Sequence, residues 1–525
     1  MRPRASVHVR HVLCFALLAV GILLPQSKAW AATTVSLTHA TQPPSGLAGT
    51  SVEYLIGFGF PVAVISPADV TVSFASSCLG TPITTTTATQ VTTIPVPPLG
   101  LVRRIAFLIP SALTSGTYSV WVNDSGLSVS SSNCSALMVT NSTKKIAACI
   151  PSSSLAVSLG STVTAYIPHG DWSTPTTGIG VVNIEGTAGS TTISTPNAVN
   201  ACSSNSITGE TVCTANNTDV YLITGTTLNN TLTSGANASA RFSGGSCTNC
   251  GVAIDAANNT AYIEEGLTGG TSGQGVQPLN LATNTFGPAF PMNFNVSENI
   301  DIDPFLNLVL SPGEDSNYTL LGIVPNGSIS GEFGKSVTEP SLDSAAEDCT
   351  TGIALAASEF TSDVFIQDLT QAVFTSGTPG SYTAPGQFVT LSGSFSAGTS
   401  GISVAPGSTH LGVVTGEFGG NTFAALQLPS TSGSGTPALV DYAVTAIPPN
   451  PAGGSCAFFS SGLDPHTLTA YTSPNDGKAY AVFVGNTATC LAKVDLGAVL
   501  AAARNSGTNT VTTFPPTAIT YFTVP

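Results

Sequence analysis

From about residue 145 onward a short apolar pattern recurs along the chain. Gly251-Val-Ala-Ile-Asp255, Asn299-Ile-Asp-Ile-Asp303, Gly352-Ile-Ala-Leu-Ala356 and Gly401-Ile-Ser-Val-Ala405 start roughly 50 residues apart. The second and fourth residues of each are apolar, the period of two that makes one face of a strand. A turn rich in Asn, Pro, Gly or Ser comes next, then a second strand such as Thr260-Ala-Tyr-Ile263, Val364-Phe-Ile366 or Leu411-Gly-Val-Val414. Segments such as Val276–Leu281 and Phe423–Leu428 extend the unit. Less regular units fall at Leu155–Asn205, Ile207–Cys250 and Gly462–Pro525. A lone four-stranded sheet cannot bury both faces, so such units must stack. Dividing residues 145–525 by a repeat of ~50–54 residues gives about seven of them, and radial stacking predicts a seven-bladed β-propeller. A β-helix would need rungs of only ~20–30 residues.

Residues 32–142 carry a different pattern. Ser51–Ile56, Val70–Phe74, Val102–Ile109 and Gly116–Val122 are short strands between turns. About seven such strands predict an immunoglobulin-like sandwich. The stretches GTSVEYLIGFGFP, VTVSF and RRIAFLIPSALTSGTYSVWV resemble the IPT/TIG family of Ig-like domains. That resemblance implies a non-catalytic spacer or binding module. The repeats in 145–525 are similar to NHL- and lactonase-type propellers of secreted proteins. The whole chain is therefore expected to be all-β, an Ig-like sandwich followed by a propeller.

Residues 1–31 stand apart from both. Arg2, Arg4 and Arg10 precede the apolar stretch HVLCFALLAVGILLP, and Ala29-Trp30-Ala31 supplies a small-x-small cleavage pattern. An apolar run of about 13 residues is shorter than the ~20 needed for a membrane-spanning helix, so the segment is expected to be a secretory signal peptide. No later stretch is long and apolar enough to span. The expected location is secreted, cell-surface or periplasmic.

Composition agrees with a chain of many tightly turned strands. Charged residues make up 8 % of the total, against about a quarter in an average soluble domain, while Gly and Pro number 53 and 35. The formal charge is −15, and loss of residues 1–31 removes Arg2, Arg4, Arg10 and Lys28 as well. An acidic chain with few basic pairs argues against nucleic acid and anionic membrane as partners. An extracellular ligand or protein is the expected partner, its identity unknown.

The chain has 11 Cys, one of which, Cys14, is in the leader. Ten in an exported chain favour disulfides. Proximity suggests Cys78 with Cys134, Cys202 with Cys213, Cys247 with Cys250, and Cys456 with Cys490, leaving Cys149 and Cys349. Glycines 244, 245 and 251 around Cys247-Thr-Asn-Cys250 suit a loop disulfide better than a redox motif, which needs a strand-to-helix setting.

Candidate chemistry gathers near one recurring strand. Where other units have Gly and Ala or Ser, one has Asn299 and Asp301. An acid near a crowded propeller axis needs a partner, because burying an unpaired charge is costly. The loops ahead of these strands add Glu298, Glu347, Asp348, Asp464 and His466. Convergence of Glu298, Asn299, Asp301, Glu347 and Asp348 would form an oxygen-rich site for Ca²⁺, with Asp464 and His466 as ligand-binding neighbours. The lactonase resemblance implies a metal site of this kind that polarises a substrate carbonyl, with His466 as base. The same residues also fit turn caps and solvated loop acids, as Asp255 and Asp303 fit turns. No G-x-S-x-G, H-E-x-x-H, P-loop or complete G-x-G-x-x-G is present. The leading expectation is a non-catalytic binding or surface scaffold, and the alternative is a metal-dependent hydrolase of the lactonase type.

Overall fold

The structure, a computed structural model, describes residues 33–140 and 155–525 apart from internal stretches, of which 236–248 and 451–462 are the longest. The segment read as a signal peptide lies outside the described residues, as do Glu298, Cys247 and Cys456.

The ten strands from Thr33–Leu37 to Ser135–Thr140 belong to one hydrogen-bonded sheet. Its pairings fall into two sets, one around Gly116–Asp124 and one around Gly100–Leu108. Strand Thr33–Leu37 pairs with Val129–Ser131 through Thr33, Thr34 and Val35, then changes partner and pairs with Val52–Phe58 through Ser36 and Leu37. The strand thus ties the layers together. Leu55, Val72, Phe74, Ile105, Phe107, Val120 and Leu137 fill the core, with Phe74 and Phe107 packed edge to face at 5.5 Å between centroids. Cys78 and Cys134 are bonded across 56 residues. The basic pair Arg103-Arg104 is used locally: Arg103 is buried and donates to the carbonyls of Pro61 and Ala63, and Arg104 lies over the Tyr54 ring.

The remaining strands form six sheets among the described residues. The first, Ala156–Thr233, has seven strands; the second, Asn249–Pro291, has five. The third has six, and the fourth, fifth and sixth have four each. Seven separate four-stranded blades are therefore not seen; of these six sheets, three have four strands. The units expected at Leu155–Asn205 and Ile207–Cys250 merge because one 14-residue strand, Thr191–Ser204, serves both. Its early residues pair with Thr177–Asn183, and its later ones pair with Glu210–Ala215. Cys202 and Cys213 face each other in the second pairing and are bonded. Cys349 and Cys490 are also disulfide-bonded.

Consecutive sheets bury an apolar cluster between them, which gives the propeller-like arrangement. Val212 and Val220 meet Val252 and Ile254, Tyr262 meets Ile300 and Ile302, and Ile353 and Leu355 meet Ile402 and Val404. The arrangement returns on itself, because Leu159, Val163 and Ala165 of the first sheet pack on Tyr471, Val482 and Leu491 of the sixth. Ile56, Phe58 and Val102 of the N-terminal sheet join the cluster between the third and fourth sheets.

One turn recurs where the opening strand of a sheet passes into the second. The residue just before the second strand has positive φ in four sheets, at Asn259, Asn307, Gly352 and His410; Gly477 lies two residues before its strand, and Gly209 takes the same place before Glu210–Ala215. Gly reaches this left-handed region without a Cβ penalty, and Asn and His tolerate it better than most residues do.

The strand Gly352–Ala356, aligned by sequence with the opening strands, proves to be the second of its sheet. Leu342–Asp348 is the opening strand there, and Ile353–Ser358 pairs onto it. The sixth sheet also holds a helix, Leu496–Ser506, where the sequence pattern suggested only strands.

Candidate functional site

Residues of the opening strands carry the candidate chemistry, and their register fixes what meets. Asn299 is bridged in parallel to Ser344, and the Ser344 hydroxyl donates to the carbonyl of Ser400. These residues mark one end of the arrangement. Glu347 stands three residues beyond Ser344, about 10 Å at ~3.3 Å per residue. Asn299 and the Glu347-Asp348 pair therefore sit at opposite ends, because Glu347 and Asp348 close an opening strand instead of preceding one. In the sixth sheet, Ala470 donates to Ser403 Oγ and Thr472 to the Pro406 carbonyl, so the two opening strands run together. Asp464 and His466 thus belong to the Asn299 end of strand Leu463–Thr472.

At the far end, between the third and fourth sheets, the Glu347 carboxyl lies near Asp303, Asp301 and Asp348, and neither of its buried oxygens has a hydrogen-bond partner among the described residues. Both Asp303 and Glu347 are buried. Burial first, and then Asp303, hold the Glu347 carboxyl well above the usual carboxylate range. Keeping Glu347 neutral spares two neighbouring buried acids from both carrying charge. Asp303 also accepts from the Leu306 N–H at 2.8 Å and so does shape its turn. Asp301 and Glu347 are close enough to feel each other.

Asp348 faces the next sheet. It accepts from Thr350 N and Thr350 Oγ1 at 3.1 and 2.6 Å, and His410 Nδ1 lies 2.6 Å from its other oxygen. The hydrogen bond to Asp348 raises the His410 pKa, burial opposing it. The sequence reading missed this pair. Its signal was His410 standing where sibling turns have Asn or Gly.

The Asn299 end carries an acidic rim that also went unread. Glu314 lies in the turn after Leu308–Pro312, and the charges around it are Glu359, Asp343 and Asp315. Burial, reinforced by those carboxylates, pushes Glu314 up to about 7. Its neighbours are anchored: Ser341 Oγ donates to Glu359, Ser400 Oγ to Asp343, and Asn295 N to Asp315, at 2.6, 2.6 and 2.9 Å. Phe360, 61 % exposed, projects beside them. Among the described residues no three His, Cys, Asp or Glu side chains form a group that could hold a metal ion. No helix among them is long and apolar enough to cross a membrane.

These features define an all-β protein with a propeller-like arrangement of sheets. No family model and no curated protein matches the chain, so neither the IPT/TIG nor the NHL/lactonase resemblance gains a family match. Among solved structures, the chain is similar to one titled Crystal Structure of Mitotic Checkpoint Complex, at 10 % identity and a TM-score of 0.42, covering 63 % of this chain and 83 % of that one. It is also similar to RRP9 WD40 repeats, at 9 % identity and 0.40, over 66 % and 87 %, and to U3-55K, at 9 % and 0.39, over 66 % and 88 %.

Proposed function

We propose that the chain is an exported, disulfide-supported scaffold that binds an extracellular ligand or protein without catalysis. One observation carries the reading: the acids best placed for chemistry are enclosed between sheets. Asp303 and Glu347 are buried against each other between the third and fourth sheets, and Asp348 is occupied by Thr350 and His410. Groups enclosed in that way position strands and are not open to a substrate. The disulfides favour an oxidising compartment, and Phe360 on the acidic rim offers an exposed contact surface.

The hydrolase alternative needs Ca²⁺ held by Asp301 and Glu347, with ligand oxygens ~2.3–2.6 Å from the ion. Calorimetric titration with Ca²⁺, paired with hydrolysis of a lactone and ester panel, separates the two. The scaffold reading expects no saturable heat and no turnover above the uncatalysed rate. Saturable heat and Ca²⁺-dependent turnover, both lost in Asp301→Ala, would establish the hydrolase instead.

A further inference from the structure

We infer that the ring of sheets is built to open at one seam, between the first and sixth sheets, and that Glu185 is the latch that keeps it shut. Other neighbouring sheets are tied by backbone or by the chain itself. Strand Thr191–Ser204 is shared within the first sheet. Gly380 and Ser381, which lie between strands of the fourth sheet, pair with Phe333 and Gly334 of the third. Val444 of the fifth sheet donates its N–H to the Asn509 carbonyl of the last unit and accepts from Val511 N–H. The first and sixth sheets are different, because the ring starts in one and finishes in the other. Among the described residues no strand pairing crosses between them.

Side chains close that seam instead. Glu185, held in its turn by its own N–H donating to Asn183 Oδ1, accepts four hydrogen bonds from the sixth sheet. Tyr471 Oη and Lys493 Nζ reach Oε1 at 2.7 and 2.9 Å, and Ser473 Oγ and Asn475 Nδ2 reach Oε2 at 2.8 and 2.6 Å. The Glu185 and Lys493 side chains are 6 % and 12 % exposed, and the ammonium lies 4.0 Å from the Tyr480 ring centroid. A single carboxylate therefore gathers an ion pair and three neutral donors in a place largely shielded from water, where such contacts are strong.

A second tie crosses the same seam. Thr192 Oγ1 donates to the Pro525 carbonyl at 3.1 Å, and Val524 lies so close to Gly180 that a Cβ there would meet it at 2.5 Å. Gly180 is thus shaped to receive the last strand. Sheets joined by the chain stay near each other when their packing loosens and reclose readily. Among the described residues the first and sixth sheets are held by this packing and by side-chain bonds centred on Glu185, with no strand pairing, so sub-global opening should start there.

Hydrogen exchange on the full chain tests the inference, using wild type, Glu185→Gln, Glu185→Ala and a control at another seam, Ser400→Ala. Loss of the charged hydrogen bonds should speed exchange about tenfold or more in Val163–Pro168 and Cys490–Asp495. Glu185→Gln, which keeps the shape and some of the bonds, should fall between wild type and Glu185→Ala. The third and fourth sheets should exchange as in wild type, and Ser400→Ala should leave the Glu185 seam unchanged. Unchanged seam exchange in Glu185→Gln, or a rise spread evenly over all sheets in either variant, overturns the inference. Should Glu185→Ala fail to fold, Glu185→Gln alone decides.

Discussion

His410 has a φ of 52°, a conformation that its sibling turns meet with Asn or Gly. Replacing it by Asn keeps the turn and removes the pairing with Asp348. Because that pair raises the His410 pKa, its stabilisation is complete below the ordinary value of 6.5 and fades as pH rises through the folded value. Urea unfolding of His410→Asn should therefore show a loss of about 1–2 kcal/mol in mild acid, shrinking in mild alkali. Glu314 has the opposite sign. Its carboxyl is pushed up to about 7, so folding favours the neutral form and ionisation costs stability as pH climbs from the unfolded value toward and past 7. Glu314→Gln should match wild type in acid and exceed it in mild alkali, measured by the same unfolding curves. Residues of this kind were only partly legible in the sequence. Asp301 and Glu347 stood out because siblings have small residues or because acids are scarce, but what each touches depends on strand register. Asp348 with His410 and Glu314 with Glu359 are contacts between different sheets, and no local pattern announces them.

Helix Leu496–Ser506 was legible and was still missed. Leu496, Val499, Leu500 and Ala503 repeat at helical spacing and are buried, Asp495 caps the start through Ala498 N at 3.0 Å, and Gly507 ends it at φ 69°. A repeat read as strands alone hid that signal. Asp495→Ala should cost about 1 kcal/mol from the lost cap, with some further loss from its pair with Lys478. Gly507→Ala should cost about 1 kcal/mol because Ala resists the left-handed region. Thermal unfolding of both variants checks these values. The strands themselves were largely visible. Alternation marked the inner faces of Val252 and Ile254, Ile300 and Ile302, and Ile402 and Val404, which lie in the clusters between sheets. What alternation cannot tell is a strand's place in its sheet. Ile353–Ser358 has the pattern of an opening strand because second strands are buried on both faces as well.

At the scale of the whole molecule, low charge and abundant turns were read correctly as an all-β chain of stacked sheets, but the count of separate sheets was not. A strand that bends from one set of partners to the next, as Thr191–Ser204 does, has no distinct sequence mark. The use of the acids is the larger difference. An expected oxygen-rich mouth is divided between two ends, and its best-buried members, with Asp303, form contacts between sheets. The most direct test of that account is the melting temperature of wild type and Glu347→Gln, with and without millimolar Ca²⁺. Gln has the shape of a neutral Glu347, and it cannot ionise. Glu347→Gln should therefore melt at or above the wild-type temperature at neutral pH, with a smaller decline as pH rises, and Ca²⁺ should shift neither protein. A Ca²⁺-dependent rise in wild type that Glu347→Gln abolishes would contradict the account and return Glu347 to the role of metal ligand.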